Sequence, residues 1–397
     1  KAFVAISVTP THEDSSFDAA TTDSHGAEYL VNVELRYKKA TDWAETGYVI
    51  ADEQFSLSND DGGITEPTLS PKSSVSENDS SAASNETTVS HGSFTSVSDH
   101  QIIGTDKDGK SYQITFDKDG KMTAWTYDGK DLLYANPGQT NAGQVYPGPD
   151  FNSMRNIDND ISGGTGSIAM VSSSTSTEIA SGKALTLESD GNATMTVNGT
   201  ATHCNYSIVY TFYPDATVDM KVTLNPTGAT RRLGMGMQFA EGFENVEFYA
   251  RGPWSNYSDR KSGTYLGRYT TTVDDMVEGL VHPQTYGDHE DLRELVLSNH
   301  QTGVQVDVKV EGHVSFSLSH YDEGVWCNEG TLMWQKNTHW YSSSMAKKPQ
   351  VFAHFDYWQR GLGNNSCQGD VCLDSYRCPE SGSYTYTLRF KPSCREE

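Results

Sequence analysis

The sequence predicts an all-β protein: a large antiparallel β-sandwich preceded by a partial β domain. Three observations carry this expectation. No stretch places apolar residues at a 3.6-residue period over the length of a typical helix. Short runs rich in Val, Ile, Tyr, Phe and Thr end repeatedly in turns built from Gly, Asp and Asn. The composition, with 35 Gly, 21 Tyr and 11% aromatic residues, suits many strands joined by many turns.

Residues 1–57 read as three strands, over 3–8, 29–37 and 48–57. In the second of these, Tyr29, Val31, Val33, Leu35 and Tyr37 share one face, and Leu30, Asn32 and Glu34 the other. That alternation marks a half-buried strand. The segment is short for an immunoglobulin-like sandwich, which takes about 100 residues, so part of such a domain is expected. Residues 58–97 are dominated by Ser, Asn, Asp, Thr and Gly, with few apolar positions. Such a stretch buries too little to offset its ordering entropy, and it reads as a linker or inserted surface loop.

The sandwich is expected over residues 98–397. It opens as a meander whose turns are Asp106-Lys-Asp-Gly109, Asp117-Lys-Asp-Gly120 and Asp128-Gly129. Asp-Gly supplies the positive φ that tight hairpins need. A calcium loop of the EF-hand type would need further oxygen ligands, a terminal Glu and flanking helices, none of which is present. Further strands are expected at 206–212, 217–224, 233–239, 246–249, 304–310, 314–319, 351–355 and 384–390.

Fifty-three acidic against 29 basic residues give a net charge of −24. This field opposes nucleic acid and anionic membrane, whose binding needs clustered Lys and Arg, and it leaves a neutral sugar unaffected. No run is long and apolar enough to span a bilayer. The opening Lys-Ala-Phe-Val-Ala-Ile-Ser-Val alternates like a strand and lacks the apolar region of a signal peptide. The chain is expected to begin after processing or inside a longer product, in a compartment that the sequence leaves open. The six cysteines fit no Cys-x-x-Cys zinc pattern. Disulfides such as Cys372–Cys378, and free thiols, are both compatible with the spacing.

The densest chemistry is Arg-Gly-Pro-Trp-Ser-Asn-Tyr-Ser-Asp-Arg at residues 251–260. Gly-Pro interrupts any helix, so Arg251, Asn256, Asp259 and Arg260 crowd a polar loop with Trp254 and Tyr257. Guanidinium, amide and carboxylate groups hydrogen-bond hydroxyls, while aromatic faces cover the apolar side of a sugar ring. The loop points to carbohydrate.

This Arg-Gly-Pro-x-x-Asn-Tyr-x-Asp-Arg motif resembles a signature of the C-terminal small-chain domain of β-galactosidases of glycoside hydrolase family two. Four other segments stand in the family's order. Trp-Ala-Glu-Thr-Gly-Tyr-Val-Ile-Ala-Asp-Glu-Gln-Phe (43–55) resembles the end of the preceding immunoglobulin-like domain. Phe-Asn-Ser-Met-Arg-Asn-Ile-Asp-Asn-Asp (151–160) resembles an early Arg…Asp-Asn-Asp element. His-Pro-Gln-Thr-Tyr-Gly-Asp-His-Glu-Asp-Leu-Arg (282–293) is similar to a Pro-Gln-x-x-Gly…Arg loop. Asp-Tyr-Trp-Gln-Arg-Gly-Leu-Gly-Asn-Asn-Ser-Cys (356–367) resembles the terminal Asp-x-x-x-x-Gly-x-Gly segment.

The resemblance implies a sandwich of the galactose-mutarotase-like kind. It also implies that hydrolysis of terminal β-D-galactosyl residues belongs to the complete enzyme. The two catalytic carboxyl groups of the family sit in a (β/α)₈ barrel of about 250 residues that comes before these parts. The expected partners are therefore a catalytic-barrel portion or large subunit and a β-galactoside sugar; no catalytic residue, cofactor or metal is expected in this chain.

The residues expected to contact carbohydrate are Arg155, Arg251, Trp254, Asn256, Tyr257, Asp259, His282, Gln284 and Arg293, with Trp254 or Tyr257 stacking on the ring. Cys367 joins them: it matches a position where some family members carry a substrate-stacking Trp, and a thiol has no flat apolar face. Thr285 and Tyr286 likewise replace the family's Glu and Asn. Asp158, Asp160, Asp259, Asp291 and Asp356 are the carboxylates that could be catalytic; Asp158, Asn159 and Asp160 read instead as loop ties, and Asp259 as pairing with Arg260 or Arg251.

The alternative is a self-sufficient carbohydrate-binding or aldose-mutarotase-like module. It needs a general acid and a general base. His282, His289, His320 and His354, with Glu290 and Glu294, are the candidates. Trp334, Tyr357 and Trp358 are expected in the core, and Trp340 on an exposed loop.

Overall fold

The computed structural model describes residues 4–10, 29–56, 66–69, 72, 92–134, 150–152, 176–179, 185–201, 203–229, 232–278, 286–321, 347–363 and 372–395. In chain order the first strands are β1 (Val4–Pro10), β2 (Tyr29–Arg36), β3 (Val49–Ser56), β4 (Ser93–Ser98), β5 (Gln101–Thr105), β6 (Ser111–Phe116), β7 (Met122–Tyr127) and β8 (Lys130–Asp131). Next come β9 (Asp150–Asn152), β10 (Ser176–Ile179), β11 (Thr186–Leu187), β12 (Ala193–Ala201), β13 (Cys204–Phe212), β14 (Val218–Pro226), β15 (Arg232–Phe239) and β16 (Asn245–Gly252). The last are β17 (Tyr265–Thr272), β18 (Glu294–Asn299), β19 (Val304–Glu311), β20 (Ser315–Ser319), β21 (Val351–Gln359) and β22 (Tyr384–Cys394). The described residues contain no α-helix, hence none long and apolar enough to cross a membrane. The all-β expectation holds.

The strands form four antiparallel sheets. β1-β2-β3 make the first and β4 to β8 a second, in sequence order. The largest runs β10-β12-β13-β14-β22-β19-β18-β16-β17, with β11 beside β12. The fourth is β20-β21-β15-β9. Alternation decides which faces meet. In β13, Cys204, Tyr206, Ile208, Tyr210 and Phe212 are buried while the residues between them face outward. β15 is different: all eight of its residues are buried, so the fourth sheet is covered on both faces. Side chains from three sheets share one core, among them Ile114 and Trp125, Tyr210 and Phe390, and Met235, Phe316 and Phe355.

The Asp-Gly segments are hairpin turns, as expected. Asp106 Oδ1 accepts the backbone N–H groups of Asp108 (2.9 Å) and Lys110 (2.8 Å), and Asp117 does the same for Asp119 and Lys121 (both 2.9 Å). These carboxylates serve the turn's own main chain, which is why no calcium loop forms. Asp128 and Gly129 both take positive φ, 49° and 71°, and join β7 to β8 as a two-residue hairpin.

Some strands lay outside the sequence expectation. β4 begins inside the stretch assigned to the linker, because Phe94 and Val97 pack on the core. β12, rich in Thr, Ala, Gly and Asn, and β18 are each paired on both sides, while β17 lies at the edge of the largest sheet and pairs only with β16. Described parts of the 58–97 stretch also touch the sandwich. Lys72 pairs with Asp215 and lies 4.8 Å from the Tyr213 ring centroid. Gly312 N–H bonds Pro67 O at 2.9 Å.

The first sheet docks on the rim of the largest one. Gln54 of β3 donates to Leu266 O (3.0 Å) and accepts from Leu266 N–H (2.9 Å) on β17. Leu30 packs against Tyr249 and Leu266 beside it.

Candidate functional site

Three of the sequence motifs converge at one end of the sandwich. β16 ends at Arg251 and Gly252, and the chain turns through a cis Gly252–Pro253 bond into the loop that leads to β17. Asn256 organises this loop from a fully buried position. Its Nδ2 donates to Arg251 O and Trp254 O, both at 3.1 Å, and its Oδ1 accepts Glu290 N–H at 2.9 Å. Its own N–H bonds Asp288 O at 2.7 Å. The 251–260 loop is thereby tied to the 288–293 stretch, which is also held by mutual His289–Phe316 bonds and by Arg293 N–H to Tyr249 O at 2.8 Å.

Asp259 supplies the third connection. Its carboxylate accepts Leu362 N–H (3.1 Å) and Gly363 N–H (2.8 Å), so it holds the Gly361-Leu362-Gly363 turn. The expected pairing of Asp259 with Arg251 or Arg260 is therefore corrected: backbone donors surround the carboxylate instead. A Cβ on Gly361 would lie 2.6 Å from the Asp259 carboxyl carbon, which explains glycine there. Arg251 donates from Nε to Asp291 Oδ2 and from Nη1 to Thr264 O at 3.1 Å. Arg293 donates to Asp291 O at 2.8 Å.

Beneath the loops lies a buried charged layer that the sequence reading missed in part. Arg232 of β15 pairs with Asp356 of β21, both removed from solvent, and donates to Ser317 Oγ at 2.8 Å. Lys261 sits 3.0 Å from Glu290 and 3.5 Å from Asp291, and His313 lies 3.4 Å from Glu290. Burial opposes the charge on Lys261, but Glu290 and Asp291 outweigh it and raise its pKa. Burial likewise opposes Asp291; Lys261, Arg251 and Arg293 overcome it and hold the carboxyl well below its ordinary range. Burial also opposes the charge on Glu290, and His313 and Lys261 lower its pKa nevertheless. Asp288 is the exception. Burial first, then Glu290, push its pKa well above the ordinary carboxyl value, which favours the neutral acid.

His289 stacks between Phe248 and Phe316, its Nδ1 bonds Arg251 O at 3.0 Å, and burial lowers its pKa to about 4. It is a neutral core imidazole. Glu290, Asp291 and His313 bring ligand atoms together as a metal site would, yet Lys261 and Arg251 already balance the two carboxylates.

Of the expected carbohydrate contacts, Trp254 is 74% exposed, standing at the tip of the braced loop. Asn256 and Tyr257 are buried, and the polar groups of Arg251, Asn256, Asp259 and Arg293 are hydrogen-bonded within the fold. Arg155, His282, Gln284 and Cys367 lie outside the described residues, as do Asp158, Asp160, Thr285, Trp334 and Trp340. Tyr357 and Trp358 pack on the core as expected. Cys372 and Cys378 are buried free thiols.

The described residues form an antiparallel all-β chain with a braced loop cluster, and comparison gives the family. The chain belongs to the β-galactosidase small-chain family, whose model matches residues 108–390; a model of β-galactosidase domain 4 matches residues 3–58. Among curated relatives, the β-galactosidase of Priestia megaterium is 23% identical over 382 residues, covering 92% of this chain and 32% of that protein. The β-galactosidase of Staphylococcus xylosus is 29% identical over 173 residues, 43% of this chain and 16% of that protein. The chain thus spans a third or less of the length of the relatives it matches. Among solved structures, galactose 1-epimerase from Lactobacillus acidophilus NCFM has a TM-score of 0.41 at 9% identity, covering 77% of this chain and all of that one. A galactose mutarotase-like protein from Lactobacillus casei has a TM-score of 0.35 at 11% identity, covering 76% of this chain and 100% of that one.

Proposed function

We propose that this chain is the non-catalytic C-terminal portion or small subunit of a β-galactosidase. Residues 1–57 then close an immunoglobulin-like domain, and the sandwich buttresses a catalytic barrel supplied elsewhere. The observation that carries this reading is the small-chain match over 108–390 in a chain far shorter than its relatives. The chemistry supports it. A retaining glycosidase needs two carboxyl groups about 5–5.5 Å apart facing an open cleft. Here Asp356 is bound to Arg232, Asp291 to Arg251, Asp259 to backbone N–H groups and Glu290 to Lys261.

The first sheet supports a docked partner. Tyr37, Trp43 and Tyr48 form an aromatic cluster with Trp43 66% exposed, and Ile50 and Phe55 of the same sheet are exposed as well. Exposed apolar residues grouped in this way favour an interface. The exposure of Trp254 on a rigid loop also favours a sugar contact completed by the partner's site.

The test is hydrolysis of a chromogenic β-galactoside by the purified chain, with and without a barrel-containing chain that lacks this region. Activity is expected only in the mixture. Activity from this chain alone would refute the reading and return attention to its carboxylates.

A further inference from the structure

A second cluster of ligand-type side chains lies away from the braced loops. Glu244 ends the turn before β16, Asp274 begins the 3-10 turn Asp274–Met276 after β17, and His320 follows β20. Their ligand atoms all lie within 4.8 Å of one another. Main chain from outside the three side chains orients two of them. His320 is buried, and its Nδ1 lies 3.0 Å from Gln350 O. A carbonyl oxygen only accepts, so Nδ1 carries the hydrogen and Nε2 is the nitrogen left to bind something else. That nitrogen points at Glu244 Oε2, 2.5 Å away. Glu244 is aligned in turn by Asp274 N–H, which reaches Oε1 at 3.1 Å, and by Val273 N–H on its carbonyl at 3.0 Å.

A lone-pair nitrogen and a carboxylate oxygen repel one another at that distance unless a positive centre is shared between them. An imidazole fixed by a backbone carbonyl, a carboxylate fixed by a backbone N–H and a second carboxylate facing solvent are the ingredients of a metal site with its supporting shell. Lys347 Nζ lies 2.6 Å from Asp274 Oδ2 and is the cation that competes there. Its side chain is 46% exposed, so it can swing into water, and Asp274 keeps its other oxygen. The contrast with Lys261 is physical: that ammonium is largely covered and held between two carboxylates.

We propose that Glu244, Asp274 and His320 bind one divalent cation of the Zn²⁺ type, with water completing the shell. The ion clips the largest sheet, at the ends of β16 and β17, to the fourth sheet at the end of β20. It displaces Lys347 from Asp274, and because imidazole and carboxylate bind a metal only in their deprotonated forms, binding weakens as pH falls.

The experiment is calorimetric titration of the full chain with Zn²⁺, together with Co²⁺ absorption and thermal melting, on wild type and on Glu244→Gln, Asp274→Asn and His320→Gln. The wild type should show a site with a nitrogen–oxygen Co²⁺ spectrum, without thiolate charge-transfer bands, and a Zn²⁺-raised Tm. Each variant should bind about tenfold or more weakly and lose the Tm response. Glu244→Gln and Asp274→Asn alter partly exposed side chains, so they decide the matter even if His320→Gln folds poorly. Equal binding by these two and the wild type, only thiolate-type spectra, or no binding at all would overturn the proposal.

Discussion

At the scale of single residues, Asn256 is the position where loop fold and motif coincide. It satisfies two carbonyls and one N–H with one buried side chain. Asn256→Leu leaves the buried Glu290 N–H unpaired, at roughly 1–3 kcal/mol, and removes a bond to Arg251 O and one to Trp254 O, at about 1 kcal/mol each. A loss of about 3 kcal/mol or more is expected by urea unfolding, and a change within 0.5 kcal/mol would refute the role. Asp288 gives a prediction in pH. Its folded pKa is raised, so the native state keeps a proton that the unfolded carboxyl loses above about 3.9. Its contribution is complete below that value and is lost as pH rises toward the folded pKa. Asp288→Asn mimics the neutral acid, so the variant's Tm relative to wild type should climb as pH rises above about 4. A flat difference would show Asp288 ionised in the fold. The motif made Asn256 legible as a key residue, but not its role. A loop amide reads equally as a ligand for sugar or for main chain, and only the positions of Arg251 O, Trp254 O and Glu290 N–H decide between them.

At the scale of elements, alternation was the reliable signal. It placed the strands around Tyr210, Val222, Val306 and Leu388, whose buried positions recur every second residue. It failed where neighbours on both sides hold a weakly patterned strand, as for β12 between β10 and β13. It was also silent on how sheets meet. β2 and β3 turn the face carrying Leu30 and Gln54 toward β17, and leave Leu35 and Phe55 exposed on the other. Gln54→Ala removes both bonds to Leu266. Hydrogen exchange should quicken across residues 29–56 while the sandwich keeps its protection, because Gln54 and Leu30 carry the described contact. Unchanged exchange in that sheet would mean that apolar contact alone holds it.

At the scale of the whole molecule, a net charge of −24 means self-repulsion that counterions relieve. Raising NaCl from about 0.02 to 0.3 M should raise Tm, because the pairs most able to lose stability, Arg232–Asp356 and Arg251–Asp291, are buried and weakly screened. A fall in Tm would show that exposed ion pairs outweigh repulsion. By itself the sequence determined the strand period, the turns and the family, since each is written in residue spacing: two for strands, Asp-Gly for hairpins, and the Arg-Gly-Pro…Asp-Arg string for kinship. Tertiary structure alone decided what the charged residues do. Asp259 meets Gly363, Arg232 meets Asp356 and Lys261 meets Glu290 across 104, 124 and 29 positions of chain. Electrostatic partners are set by distance in space through a low-dielectric interior, and no local pattern in a chain encodes which distant charge will be buried beside which.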